Sequence, residues 1–216
     1  MYEPRSKDII LGKIREALAK PAPFVPPTPN FTAPLHPEFI DDLSVTFATN
    51  FVKNLGAFIY CESEEDFYDQ LFLYKKEKAI NYLFVWEADL KEKLHAAGIV
   101  FNDDETNFLK QAQASLTTCE ALIARTGSIL VSGATESGRR LSIYPEKHLV
   151  VAYASQLQAD IKDGLAVVKE KYNTNIPSML SLVSGPSRTA DIEKTLVMGA
   201  HGPKELILFL IDDTLQ

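Results

Sequence analysis

The sequence predicts an α/β fold with a mixed, largely parallel sheet flanked by helices, preceded by an N-terminal helix and a proline-rich arm. Three observations carry that expectation. Between residues 38 and 101 short apolar runs alternate with amphipathic ones, the rhythm of parallel strands joined by covering helices. Beyond residue 120 the apolar runs follow one another over short connections, as adjacent strands do. Seven prolines within the 17 residues 21–37 exclude both helix and central strand there. The chain thus divides into an arm, 1–37, and an α/β body, 38–216.

In order, "SKDIILGKIREALAK" at 6–20 has Ile9, Ile10, Ile14, Ala17 and Leu18 at helical spacing, with Ser6 as N-cap, and stops at Pro21. The arm that follows should run extended; its Phe24, Val25, Phe31 and Leu35 suit an embrace of the body or of another subunit, the alternative being a flexible tether. Phe39, Leu43, Phe47, Phe51 and Leu55 recur every four residues, which reads as a helix ended by Gly56. "AFIYC" is a strand. Ser63 then caps a helix with acids in its first turn and lysines in its last, as the helix dipole prefers. "YLFVWE" at 82–87 is a buried strand, 88–98 a short helix and "IVF" at 99–101 a further strand. "EALIA", "SILVSG", "RRLSIYP" and "HLVVAYA" read as strands and turns, 159–172 as a helix, and "LILFLID" as a central strand.

With 216 residues and 46% hydrophobic content the chain can bury one substantial core. A net charge of -7 and the lack of a basic stripe argue against nucleic acid as a partner. No apolar run is long enough for a membrane span, and a cytoplasmic protein is expected. Cys61 and Cys119 stand 58 positions apart, so the chain offers neither a disulfide framework nor the four thiolates of an iron–sulfur cluster. The four histidines have no metal-binding spacing, and no metal site is expected. Phosphate-loop, dinucleotide and nucleophile-elbow patterns are absent; "GATESG" at 133–138 reads as a polar turn.

The densest stretch is "SGPSRTADIEKTLVMGAHGP" at 184–203. "LSLVS" reads as a strand, Gly185 and Pro186 as a turn, and 189–199 as a short helix with Ser187 or Thr189 near its N-cap. Free backbone N–H groups at that start, with the Arg188 guanidinium, suit a carboxylate or phosphate. Equally, Arg188 could pair with Asp191 or Glu193 in an ordinary helix entry. His201 sits between glycines, where backbone approaches a ligand closely and an imidazole can carry a proton.

This stretch closely resembles the signature of the LUD-domain family, in its lactate-utilisation protein C (LutC/YkgG-like) branch. "ALIARTGSILV", "LSIYPEKHLVV" and the N-terminal helix resemble further segments of that family, so the likeness extends over most of the chain. The resemblance implies a fold of the NagB/RpiA/CoA-transferase type. It implies membership, as a non-cluster subunit, of a cytoplasmic complex that oxidises L-lactate to pyruvate, with iron–sulfur clusters carried by sister subunits and no cofactor bound by this chain. A homo-oligomer is left open. The site it implies takes a small anion: Thr126, Gly127, Gly185, Ser187, Arg188, Thr189 and Gly202 line it, and His201 moves a proton as the catalytic candidate. One departure is Arg125, which stands where the family usually has an acid before Thr-Gly. The alternative reading is a stand-alone enzyme of the same fold acting on a small carboxylated or phosphorylated metabolite; a third is a scaffold protein.

Overall fold

The computed structural model describes residues 6–20, 27 and 28, 36, 38–192 and 195–214. Two compact units are present, 1–38 and 39–216. In the first, helix α1 runs Ser6–Ala19 as its periodicity predicts and buries none of its residues. The extended arm expected at 21–37 lies almost wholly outside the described residues.

The second unit is built on a five-stranded sheet in which every pair is parallel. Its strands are β1 (Ala57–Cys61), β2 (Leu83–Phe84), β3 (Ala114–Thr117), β6 (Lys147–Tyr153) and β11 (Glu205–Ile211), in the order β1-β11-β6-β3-β2. A second, mixed sheet has the order β7-β4-β5-β8, from β4 (Ala121–Ile123), β5 (Ser128–Ser132), β7 (Leu157–Gln158) and β8 (Leu180–Val183).

Strand β11 shows how the layers form. Successive side chains of a strand point to opposite faces. Ile207, Phe209 and Ile211 join one core cluster with Phe67 and Leu71 of α3 (Glu64–Glu77) and Leu90 and Leu94 of α4 (Ala88–Ala96). Leu206, Leu208 and Leu210 join another with Phe47 and Phe51 of α2 (Leu43–Lys53) and with Leu122, Ile129 and Val131 of the second sheet. A third cluster packs Val168 of α6 (Ile161–Tyr172) on the far side of that sheet against Ile123 and Leu130. Both faces of β11 are therefore buried, which is why it reads as one unbroken apolar run. Among the described residues no helix is long and apolar enough to cross a membrane.

Four expectations need correction. The helix predicted at 189–199 is an antiparallel hairpin, β9 (Arg188–Ile192) with β10 (Thr195–Met198), so no helix N-terminus exists there to hold an anion. "RRLSIYP" forms turns, because Ser115 Oγ donates to the Leu141 carbonyl and ties it down short of the sheet. "IVF" contributes only a bridge at the next residue, Phe84 to Asn102. The helix expected from residue 38 begins only at Leu43, since Asp42 caps it by accepting from Ser44 N at 2.9 Å. Strand β3 and the short α5 (Phe108–Gln111) were not anticipated.

Candidate functional site

The signature stretch forms a closed loop on the body. Gly185 leaves β8 at φ +91°, and its missing side chain matters: a Cβ there would lie 2.0 Å from the Asn54 carbonyl oxygen. Gly127, at φ +58°, meets the same helix one turn earlier, where a Cβ would lie 2.4 Å from the Asn50 carbonyl carbon. Asn50 and Asn54 fasten the opposite strand end: Asn50 Nδ2 donates to the Ala124 carbonyl at 3.0 Å and Asn54 Nδ2 to the Thr126 carbonyl at 2.8 Å. Ser128 Oγ donates to Thr126 Oγ1 at 2.8 Å and lies 2.6 Å from Ser184 Oγ. Thr126, Gly127 and Gly185 are thus brought together around the end of α2.

Ser187 and Gly202 meet at the base of the hairpin. Ser187 N donates to the Pro203 carbonyl at 2.8 Å, and Gly199 N to the Ser187 carbonyl at 2.9 Å. Arg188 and His201 are exposed, and Thr189 is half-buried opposite Val197. Arg188 has no ion-pair partner among the described residues. Arg125 does: its Nε lies 2.9 Å from Asp160 Oδ2, and its guanidinium stacks 4.4 Å over the Phe39 ring.

A second constellation lies just past the C-terminal ends of β2 and β3, where ligands of parallel α/β sheets gather. It is a small cleft of about 30 Å³ lined by Glu87, Thr118, Glu120, Ser132, Ser137 and Lys171, among others. Buried Glu87 accepts from Thr118 Oγ1 at 2.6 Å, Ser137 Oγ at 2.7 Å and the Thr118 backbone N–H at 3.2 Å. Glu120 accepts from Ser132 Oγ, from Tyr172 Oη at 2.8 Å and from Lys171 Nζ at 2.9 Å. Burial pushes the Glu120 carboxyl up, but those three donors outweigh it and hold the group below the usual carboxylate range.

Behind the cleft, fully buried His148 on β6 places Nε2 2.9 Å from Thr117 Oγ1, while its Nδ1 has no partner among the described residues. Desolvation lowers its pKa to about 4, so the imidazole is neutral near pH 7.

None of these cleft residues was singled out as a site from sequence. Strand alternation predicts that Glu120, five residues before Arg125, faces away from it. Strand β4 spans only 121–123, however, and residues on either side of it reach α6: Arg125 at its cap, Glu120 at its last turn. The polar turn at 133–138 is a turn, and its Thr135 and Ser137 aim at Glu87. A usable signal did exist in "LSIYPEKH", whose Ser142 lines the cleft and whose His148 bonds the lining residue Thr117.

The LUD domain family model matches residues 45–211, most of the chain and nearly all of the second unit. The chain belongs to the LUD-domain family. This LUD domain is 30% identical over 131 residues to lactate utilization protein C of Bacillus licheniformis, an alignment covering 60% of this chain and 51% of that protein. It is 35% identical over 104 residues to lactate utilization protein C of Deinococcus radiodurans, covering 48% of each. With the uncharacterized protein YkgG of Escherichia coli it shares 31% identity over 106 residues, 48% of this chain and 46% of that one. The chain spans about half the length of the curated relatives it matches. In fold it is similar to a DUF162 family protein from Deinococcus radiodurans known from a crystal structure. The TM-score is 0.58 at 19% identity, covering 78% of this chain and 96% of the other.

Proposed function

We propose that this LUD domain serves lactate utilisation as a non-cluster subunit of a cytoplasmic complex oxidising L-lactate to pyruvate, whose iron–sulfur clusters reside in sister subunits. The observation that carries the reading is the family match over 45–211 together with relatives named lactate utilization protein C. Its two cysteines fit a subunit of this kind, since Cys61 and Cys119 pack in different core clusters and burial pushes both thiols up, Cys61 to about 12. In this reading the exposed Arg188 holds a carboxylate on the signature loop, and His201 of the same stretch moves a proton. Gly185, packed against the end of α2, fixes where that loop starts.

The test is to tag the protein in its native cells, purify it without oxygen and record visible absorbance and lactate-dependent dye reduction of what accompanies it. Brown, lactate-oxidising partners are expected, and Arg188→Ala should then lower activity without dissociating them. A colourless, solitary protein would overturn the subunit reading. It would favour a stand-alone enzyme, for which the cleft with two buried carboxylates at the strand ends is the supporting observation.

A further inference from the structure

The proposed role in lactate utilisation makes no use of the cleft around Glu87 and Glu120, yet its hydrogen bonds have a defined direction. A hydroxyl has one proton and two lone pairs, and a carboxylate oxygen accepts. Thr118 and Ser137 spend their protons on Glu87, with Thr135 at the longer 3.4 Å. Ser132 and Tyr172 spend theirs on Glu120. What Thr118, Thr135 and Ser137 have left to offer the cavity is lone pairs, and Ser132, which also accepts from the Ala134 N–H at 3.2 Å, keeps one. Among the described residues lining the cleft, Glu87 and Glu120 face one cation, Lys171, which leaves one net negative charge there. The neutral imidazole behind Thr117 adds no positive charge to offset it.

We propose that this cleft is a binding site for a small primary amine, entering as its ammonium. Three N–H donors and a positive charge complement the outward lone pairs and the unbalanced carboxylate. A cavity of about 30 Å³ suits one such head group, with its substituent directed outward. A small carboxylate, by contrast, would set its oxygens against those hydroxyl lone pairs and a lining of like net charge, at a desolvation and repulsion cost. Lys171 shows how the site is satisfied at rest. Its ammonium sits 2.9 Å from Glu120 Oε2 on a side chain that is 55% exposed, so it can swing out and surrender that place. The ligand then competes with the protein's own lysine. The inference is independent of the lactate reading, because it concerns a different set of residues from the signature loop.

The test uses backbone-amide NMR on the full chain at pH 7, titrated with methylammonium chloride. Sodium acetate, tetramethylammonium chloride and sodium chloride serve as counter-probes. Methylammonium should give saturable shifts at Thr118, Ser132, Ser137 and Gly138, while tetramethylammonium, which has the charge but no N–H donor, should not. Glu87→Gln should weaken methylammonium binding about tenfold or more, as loss of a charge-assisted partner does. Lys171→Gln should strengthen it, because the competing cation is gone; a misfolded variant cannot imitate that gain. Absence of saturable shifts with methylammonium, equal binding of acetate or tetramethylammonium, or weaker binding by Lys171→Gln would each overturn the proposal.

Discussion

Gly127 and Gly185 are positions where one added carbon does most harm. Alanine at either would combine a left-handed backbone with a contact of 2.4 Å or less to rigid backbone atoms of α2. Gly127→Ala and Gly185→Ala should each cost more than about 2 kcal/mol in chemical denaturation. Gly98→Ala is the control: φ is +69° but nothing lies within 4 Å, so about 1 kcal/mol is expected. His148 makes a prediction in pH. Its pKa falls from 6.5 in an unfolded chain to about 4 here, so the unfolded state takes up a proton first as pH drops. The stability it permits is complete above pH 6.5 and is lost progressively down to about pH 4, about 3 kcal/mol in all. Denaturation midpoints at pH 7 and pH 4.5 should therefore differ less in His148→Gln than in the natural chain; equal differences would refute the assignment. The sequence places both glycines in the lining expected of a small-anion site, with Gly185 in a turn, and the structure packs both against the end of α2. A missing Cβ marks a close approach and leaves open what approaches.

Helix α6 illustrates how an element is placed. Asp160 caps it, accepting from Ile161 N while receiving Arg125 Nε on its other oxygen, and Lys171 and Tyr172 at its far end hold Glu120. Residues on either side of β4, Glu120 and Arg125, thus clip the helix at both ends. Asp160→Ala should cost about 1–2 kcal/mol by removing cap and ion pair together, measured by thermal or urea unfolding. Lys162→Ala, two positions on and exposed, should change little. Elements whose burial is two-sided, such as β11 and β6, were legible as continuous apolar runs. Strand β3, "ASLT", was not, because its small and hydroxylated residues have no pattern and it is the sheet around it that makes it a strand. The stretch 189–199 misled for the opposite reason. Its acid at the start and Gly199 at the end resemble helix punctuation, while Thr189, Ile192, Thr195 and Val197 are β-branched and pair across a hairpin.

On the scale of the whole molecule, the core clusters among the described residues all lie within 39–216, and α1 has no buried residue. A chain lacking residues 1–38 should therefore unfold cooperatively with a midpoint within a few degrees of the full chain's, by circular dichroism; a loss of cooperativity would show that the first unit contributes to folding. The polar cleft was invisible at this scale from sequence because it draws on stretches from Glu87 to Lys171 that meet only once the parallel sheet and the mixed sheet are stacked. The order β1-β11-β6 has a further consequence for biosynthesis. Strand β1 leaves the ribosome early, yet the neighbour that pairs its inner edge, β11, follows about 150 residues later. At roughly 5–20 residues per second that is about 8–30 s during which a bare apolar strand edge waits in the cell. A nascent chain stalled before residue 205 would keep that edge unpaired and invite strand-to-strand association with its neighbours. The production of this protein should accordingly depend on chaperones that shield growing chains more than its finished stability would suggest.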